Sequence, residues 1–387
     1  MRRAIPLVLA GLIAAPGVLA AQSSQFGIRG LGLPGRGASA HAMGTAGAVA
    51  LFDGESSQNP AALWALGTVT TTFTTSIGRR TSENPAGSAE ARDQRFPQVV
   101  VGGPIPNSRL AVGISYATYA DRDFSLVSEG VASPRGVPVA YTDTLTALGG
   151  INDIRLGAAW APTDKLQLGL GVHFLTGSNR LTTRRAWEDS SYIAVQQRAE
   201  LEYEGYGLSA GVLLTPTRRL QLAGSIRWDG TLDVRRDSTA TVGSVDLPIT
   251  LSGAARFRIH DRLELAGQAT ARDWSVANDG LTALGAVGAR NTYEFAGGLE
   301  WLRNRRRGAH LPLRLGVRYG QLPYLLVQGR QPTEVGVTLG TGLRFAGDRG
   351  GIDLSVERVR REQGSSYRET AWVFSVGMSV RAGGFSM

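Results

Sequence analysis

Between residues 165 and 174 the chain reads Lys-Leu-Gln-Leu-Gly-Leu-Gly-Val-His-Phe, apolar at every even position and polar or glycine at every odd one. Successive side chains of a strand point to opposite faces, so this segment has one wholly apolar face and one face that is not. The pattern returns at Leu110, Val112, Ile114 and Tyr116, and again at Leu313, Leu315, Val317 and Tyr319. It also returns at Trp372, Phe374, Val376, Met378 and Val380. Segments of about ten residues with one lipid-compatible face are the signature of bilayer-crossing strands, and a lipid-exposed sheet must close on itself to leave no unpaired backbone.

Fourteen such segments are predicted, at 68–79, 96–103, 109–119, 152–161, 165–176, 199–215, 219–230, 248–260, 262–274, 292–302, 311–320, 335–346, 350–361 and 372–382. Short connections (104–108, 162–164, 216–218, 261, 304–310 and 347–349) alternate with long ones, of which 120–151 is the longest. Tight periplasmic turns and long outer loops produce that alternation in an antiparallel barrel. The segment 199–215 changes phase, from Leu201 and Tyr203 to Tyr206, Leu208 and Val212, and a bulge at Gly205 is expected to restore the register. Trp160, Trp228, Trp274, Trp301, Tyr319 and Trp372 fall near strand ends, where interfacial aromatic girdles belong. The fold class is therefore all-β, a transmembrane antiparallel barrel of about fourteen strands.

Composition narrows the chemistry. Arg2 and Arg3 precede the apolar run Leu7–Leu19 and the small-residue site Val18-Leu19-Ala20, which reads as an export signal over 1–21. There is no cysteine, so neither disulfides nor thiolate metal sites are expected, and His41, His173, His260 and His310 lie too far apart for a ligand set. No metal and no cofactor is expected. The net charge of +9 is carried almost wholly by arginine, spread along the chain of an exported protein, so nucleic acid is not an expected partner. Gly30-Leu31-Gly32-Leu33-Pro34-Gly35 matches a dinucleotide fingerprint but lacks the flanking strand and helix that the motif requires. His173 with Ser178 is a weak candidate for base and nucleophile, since strand geometry sends His173 inward and leaves Ser178 in a loop. The chain is not expected to be an enzyme.

Strand parity assigns a polar inner face. Arg155, His173, Arg227, Arg256, Arg258, Glu264, Arg314, Arg318 and Arg344 fall on it, as do Glu294, Glu300, Asp353 and Glu357. Two accounts fit these charges. One is a hydrated wall of balanced ion pairs; the other is an electropositive path for an acidic head group.

Ahead of the strands, residues 27–66 are rich in glycine and alanine and do not alternate, as a plug inside the wall would read. The run His41-Ala42-Met43-Gly44-Thr45-Ala46-Gly47-Ala48-Val49-Ala50, followed by Ser56-Ser57-Gln58-Asn59-Pro60-Ala61-Ala62-Leu63, resembles the N-terminal hatch of FadL-type outer-membrane transporters. The turn Trp160-Ala161-Pro162-Thr163-Asp164-Lys165 and the strand end Asp273-Trp274-Ser275 are similar to that family as well. The resemblance implies a hatch over 22–67 with Met43, Gly44, Gly47, Asn59, Pro60, Ala61 and Leu63 among its residues, and a barrel over 68–387. It implies a monomer in the bacterial outer membrane, surrounded by outer-membrane lipid, that passes hydrophobic small molecules such as long-chain fatty acids by diffusion. In the family the exit is sideways, at a kink in the third strand, where Gly113 is available here. A sister group with the same hatch serves as scaffold or carrier subunits in protein secretion, which is the alternative function.

Overall fold

The structure is a computed structural model and describes residues 24–382, apart from 86, 238–239, 287 and 303–310. The export signal and Phe385 lie outside the described residues. In chain order the strands are β1 (Leu33–Pro34), β2 (Thr70–Asn84), β3 (Gly87–Pro104), β4 (Leu110–Asp121), β5 (Phe124–Ala132) and β6 (Val139–Thr163). They continue with β7 (Leu166–Trp187), β8 (Val195–Leu214), β9 (Leu220–Arg236), β10 (Ala240–Asp246), β11 (Ile249–His260) and β12 (Leu263–Arg272). The last are β13 (Thr292–Leu302), β14 (Pro312–Gln321), β15 (Thr333–Phe345), β16 (Gly350–Gln363) and β17 (Tyr367–Arg381).

Fourteen of these form a closed antiparallel wall, completed where β17 pairs with β2 from Arg368↔Glu83 to Arg381↔Thr70. β1, β5 and β10 lie off the wall. Each wall strand turns its apolar residues outward: Leu168, Leu170, Val172 and Phe174 of β7 are exposed, and so are Leu313, Leu315, Val317 and Tyr319 of β14. A belt of exposed Leu, Val and Phe around a closed sheet is unstable in water and stable in lipid. This is a membrane-spanning barrel.

Beyond the belt the wall rises unevenly. β7 runs from Phe174 on to Trp187, roughly 40 Å further at ~3.3 Å per residue. The long connection 120–151 is not a loop there: it forms β5 and the outer half of β6, paired from Phe124↔Ala147 to Ala132↔Val139. β10 likewise folds back on β9, which puts Asp233 and Asp246 on paired strands.

Two expectations need correction. β8 pairs with β7 without a break from Leu166↔Leu214 to Arg185↔Val195. The register shift near Gly205 is against β9, which holds the extra residue between Gly205↔Leu232 and Gly207↔Asp229. Tyr203 therefore stays on the inner face and is buried. Its apolar ring has a partner there, because the outer mouth is lined by Leu31, Ile151, Leu175, Leu232, Val234 and Leu247. Trp274 is not a girdle residue either. The chain turns inward at Trp274–Ala277, and its indole, only 2% exposed, packs edge-on to Tyr324 at 5.7 Å in the same cluster. Trp160, Trp228, Trp301, Tyr319 and Trp372 do face outward.

Candidate functional site in the barrel interior

Residues 24–66 run along the inner face of the wall. Ser39 caps the short helix α1 (Ala40–Met43) by accepting from the Ala42 N–H. Asn59 caps the 3-10 helix Pro60–Leu66: its side-chain oxygen accepts from the Ala61 N–H at 3.0 Å. Pro60 occupies the first position, where a missing N–H costs nothing. The Asn59 amide also donates to the Leu51 carbonyl at 2.9 Å and to Val212 of β8 at 3.4 Å, tying the segment to itself and to the wall.

The wall is stripped of side chains where this segment passes. A Cβ on Gly211 would strike Asn59, one on Gly169 would strike the Ala61 backbone, and one on Gly316 would strike Thr45 and Ala46. Leu63 fits into the notch left by Gly102, Gly113 and Gly157, within 3.3 Å of where each Cβ would be. Gly113 is therefore a seat for Leu63. It is not a kink: it pairs regularly with Gly102 and Gly157. Gly44 passes against Gly340, and its carbonyl accepts from Thr338 at 3.0 Å. Gly47 adopts φ +93°, a conformation that suits glycine. Met43 packs against Ala38, Ala42, Val49 and Ala50.

The inward charges form a lattice. Arg314 contacts Glu300 and Asp353, both at 2.7 Å, and Asp353 also meets Arg344 at 2.8 Å. Arg318 bridges Glu334 and Glu357. Arg361 bridges Glu334 and Glu369, and Arg36 of the N-terminal segment joins Glu334 at 2.5 Å. Arg258 meets Glu264 at 2.7 Å, while Arg256 bonds Gln221 and lies 5.0 Å from the Phe52 ring. Arg155 donates to the Ser57 carbonyl at 2.8 Å. In the segment, His41 lies 2.9 Å from Glu300 and 3.7 Å from Asp53. Burial and Arg314 oppose its charge, but the two carboxylates outweigh them and its pKa is raised.

His173 sits in a chain of its own. One ring nitrogen is 2.9 Å from Asp153, and the other is 2.8 Å from the Ser209 hydroxyl. The partner is Ser209, not Ser178, and sequence reasoning missed it because β8 brings it alongside from far down the chain. The connectivity is that of a serine–histidine relay, but the surroundings are not. Arg227 shares Asp153 at 2.6 Å, and Ser209 lies mid-strand, paired to Gly171 and Arg227. Its backbone N–H is in the sheet ladder, where it cannot serve an oxyanion hole. Among the described residues no group of His, Asp and Glu could hold a metal ion.

The pairing within the closed wall is short at one seam. β3 and β4 pair only from Pro104↔Ala111 to Gln98↔Ala117. Past that point β4 shifts register between Thr118 and Ala120, and its end pairs with β1 inside the barrel, Pro34 to Ala120 and Leu33 to Asp121. The outer part of β3 is left with β2 alone. A cavity of about 160 Å³ reaches this seam, lined by Leu33, Met43, Gly78, Arg95, Thr118 and Asp121 among others. Arg95 and Asp121 meet across it at 2.5 Å.

A closed, lipid-belted barrel with a glycine-seated N-terminal segment and a seam beside its third strand has the fold of FadL-type outer-membrane proteins. A Pseudomonas aeruginosa FadL homologue superposes with a TM-score of 0.60 at 15% identity, covering 90% of this chain and 99% of that one. The P. putida toluene transporter TodX gives 0.56 at 16% identity, covering 91% and 100%. The Ralstonia pickettii toluene transporter TbuX gives 0.56 at 15%, covering 91% and 99%. By sequence the chain belongs to the BamG family, whose profile matches residues 5–264. No curated protein matches it significantly.

Proposed function

We propose that this barrel is an outer-membrane channel for hydrophobic molecules, such as long-chain fatty acids, which enter at the outer mouth and leave sideways through the β3–β4 seam. The observation that carries the reading is the seam itself: a strand that abandons its neighbour at Ala117 and turns into the lumen beside a cavity. The apolar mouth around Leu31, Ile151, Leu175, Tyr203 and Tyr324 suits a hydrophobic entrant. In this reading residues 22–67 are the hatch, and Met43, Gly44, Gly47, Asn59, Pro60, Ala61 and Leu63 keep it seated. The toluene transporters TbuX and TodX, which share the fold, support the substrate class.

A disulfide between Pro34→Cys and Ala120→Cys, opposed across β1 and β4, tests it in a chain that has no other cysteine. Oxidised protein in cells should take up labelled fatty acid more slowly, and reductant should restore the rate. Equal uptake in both states would remove the seam from the path.

The projecting sheet of β5 to β8 favours a second reading, a non-transporting barrel that docks secreted or surface proteins. At its tip Tyr141, Trp187 and Tyr192 stack beside Arg185, well clear of the lipid belt. Under that reading purification yields a stable protein partner and no amphiphile.

A further inference from the structure

Beyond the lipid belt several strands keep a paired neighbour on one side only. β10 pairs with β9 and has a short helix, α2 (Asn278–Ala283), laid on it, with Gly280 pressed against the Ser244 carbonyl. The outer part of β3, 87–95, pairs with β2 alone and carries Glu90, Arg92, Asp93 and Arg95. The end of β8, 195–199, carries Arg198. β5 pairs with β6 from Phe124↔Ala147 to Ala132↔Val139. An open edge invites pairing with another chain, and proteins guard such edges with a covering element, with cations, with proline or with bulges. β5 has none of these. It holds no Lys, Arg or Pro, its register is unbroken, and among the described residues no strand is paired along its far side.

The position of this edge decides what can reach it. β4 and β5 follow one another along the same side of β6, so the open side of β5 continues the side on which β3 flanks β4. Outer β3 and β5 thus border a slot that rises from the seam, with the Arg95–Asp121 pair at its foot. The slot starts past Tyr116, the last exposed apolar residue in the outward row of β4, and so stands beyond the belt. A folded sheet cannot enter a slot with a wall on either side; a single extended segment can. A second copy fails on another ground as well. Two barrels in one membrane stand the same way up, which sets their β5 strands parallel, the weaker pairing.

Side chains specify the segment further. Val127, Glu129 and Val131 share one face of β5, and all three are exposed. Across the ladder they meet Thr144, Thr142 and Ala140, which offer Glu129 no cation, and it has no ion pair among the described residues. A strand seated on the open edge sets its own side chains opposite this row. The fitting sequence is apolar, any, basic, any, apolar, and its symmetry suits either strand direction.

We propose that β5 is a docking edge for an extended segment of another polypeptide, held by backbone pairing and selected by a cation opposite Glu129 between apolar residues opposite Val127 and Val131. The proposal rests on the docking reading above, but it uses the opposite face of the sheet from Tyr141 and Trp187, which share theirs with Gly130.

The test is fluorescence anisotropy with the full chain in detergent micelles and the labelled peptide Thr-Thr-Val-Thr-Lys-Thr-Val-Thr-Thr. Saturable binding is expected, and it should be lost when one of the two alternating sets of peptide nitrogens is methylated. Glu129→Lys should weaken binding about tenfold and confer binding on the peptide with Glu in place of Lys. Val127→Lys with Val131→Lys should abolish the binding of both peptides. Heat-modifiable gel mobility verifies that each variant is a folded barrel. Absence of saturable binding, or binding indifferent to Glu129→Lys, overturns the proposal. So does a dimer cross-linked through Val127→Cys in this cysteine-free chain, which would make a second copy the occupant. A co-purifying protein that is retained through Glu129→Lys and Val127→Lys would keep the docking reading and remove the β5 edge from it.

Discussion

The arc of wall from β13 to β17 and the seam between β3 and β4 handle the same problem, a polar interior at membrane depth, in opposite ways. Along the arc every strand is paired over its length, and Arg314, Arg318 and Arg361 each bridge two carboxylates. At the seam the ladder stops, and one ion pair, Arg95 to Asp121, spans the gap. A buried ion pair costs much to desolvate and more to break by halves. The arc is thus locked against small changes, whereas the seam can part by losing a single contact. Dense cross-linking and sparse pairing fall in different sectors of one wall.

The sharpest way to break this contrast is Arg318→Ala, which takes from buried Glu334 and Glu357 the guanidinium they share and leaves them only Arg361 and Arg36. A loss of about 3–5 kcal/mol is expected, measured by denaturant unfolding in detergent or lipid. Next come two glycine substitutions of equal size on opposite sides. Gly316→Ala meets the backbone of Thr45 and Ala46, while Gly113→Ala meets chiefly the movable end of Leu63 at 2.8 Å. Overpacking of about 1–3 kcal/mol is expected at Gly316 and the low end of that range or less at Gly113. Liposome swelling should show greater solute leakage for the first. Arg95→Gln should change stability by no more than about 1 kcal/mol, since Arg95 is partly exposed, yet should alter the uptake rate. If it instead unfolds the barrel as Arg318→Ala does, the two sectors are not distinct.

The smallest effect concerns pH. His41 has a folded pKa raised above its ordinary value of 6.5, so the bond it makes as a cation is fully present below that value. Its contribution fades as pH rises through the raised folded pKa. Stability should therefore decline slightly with rising pH across that window, and His41→Gln should flatten the decline.

Strand positions were legible because lipid imposes strict alternation on one face: Leu168 to Phe174 cannot be placed another way. Legibility ended where lipid ended. β5 and β10 lie beyond the belt with both faces in mixed surroundings, so residues 124–132 and 240–246 carry no periodic sign of pairing. Tyr203 and Trp274 were misplaced for a related reason, since an aromatic residue near a strand end suits either a girdle or an apolar mouth, and only tertiary packing decides. The inward set Arg155, His173, Arg227, Arg256, Arg258, Glu264, Arg314, Arg318 and Arg344 follows from parity alone. Which carboxylate each meets does not, because partners such as Ser209 for His173 come from strand neighbours rather than from sequence neighbours. Gly113 shows the same limit. A glycine in the third strand signals close approach, but whether it bends the strand or admits Leu63 depends on what lies opposite.

The bare patches on the inner wall carry one more consequence. Gly169, Gly211, Gly298, Gly316 and Gly340 form a mould whose cast is residues 44–61, pressed so closely that most contacts leave no room for a methyl group. Such a surface has no use in an empty tube, where it would be a gutter of naked peptide. The N-terminal segment and the wall beneath it are therefore matched in shape, and a graft of this segment into a foreign barrel with ordinary side chains along its bore would find nowhere to lie.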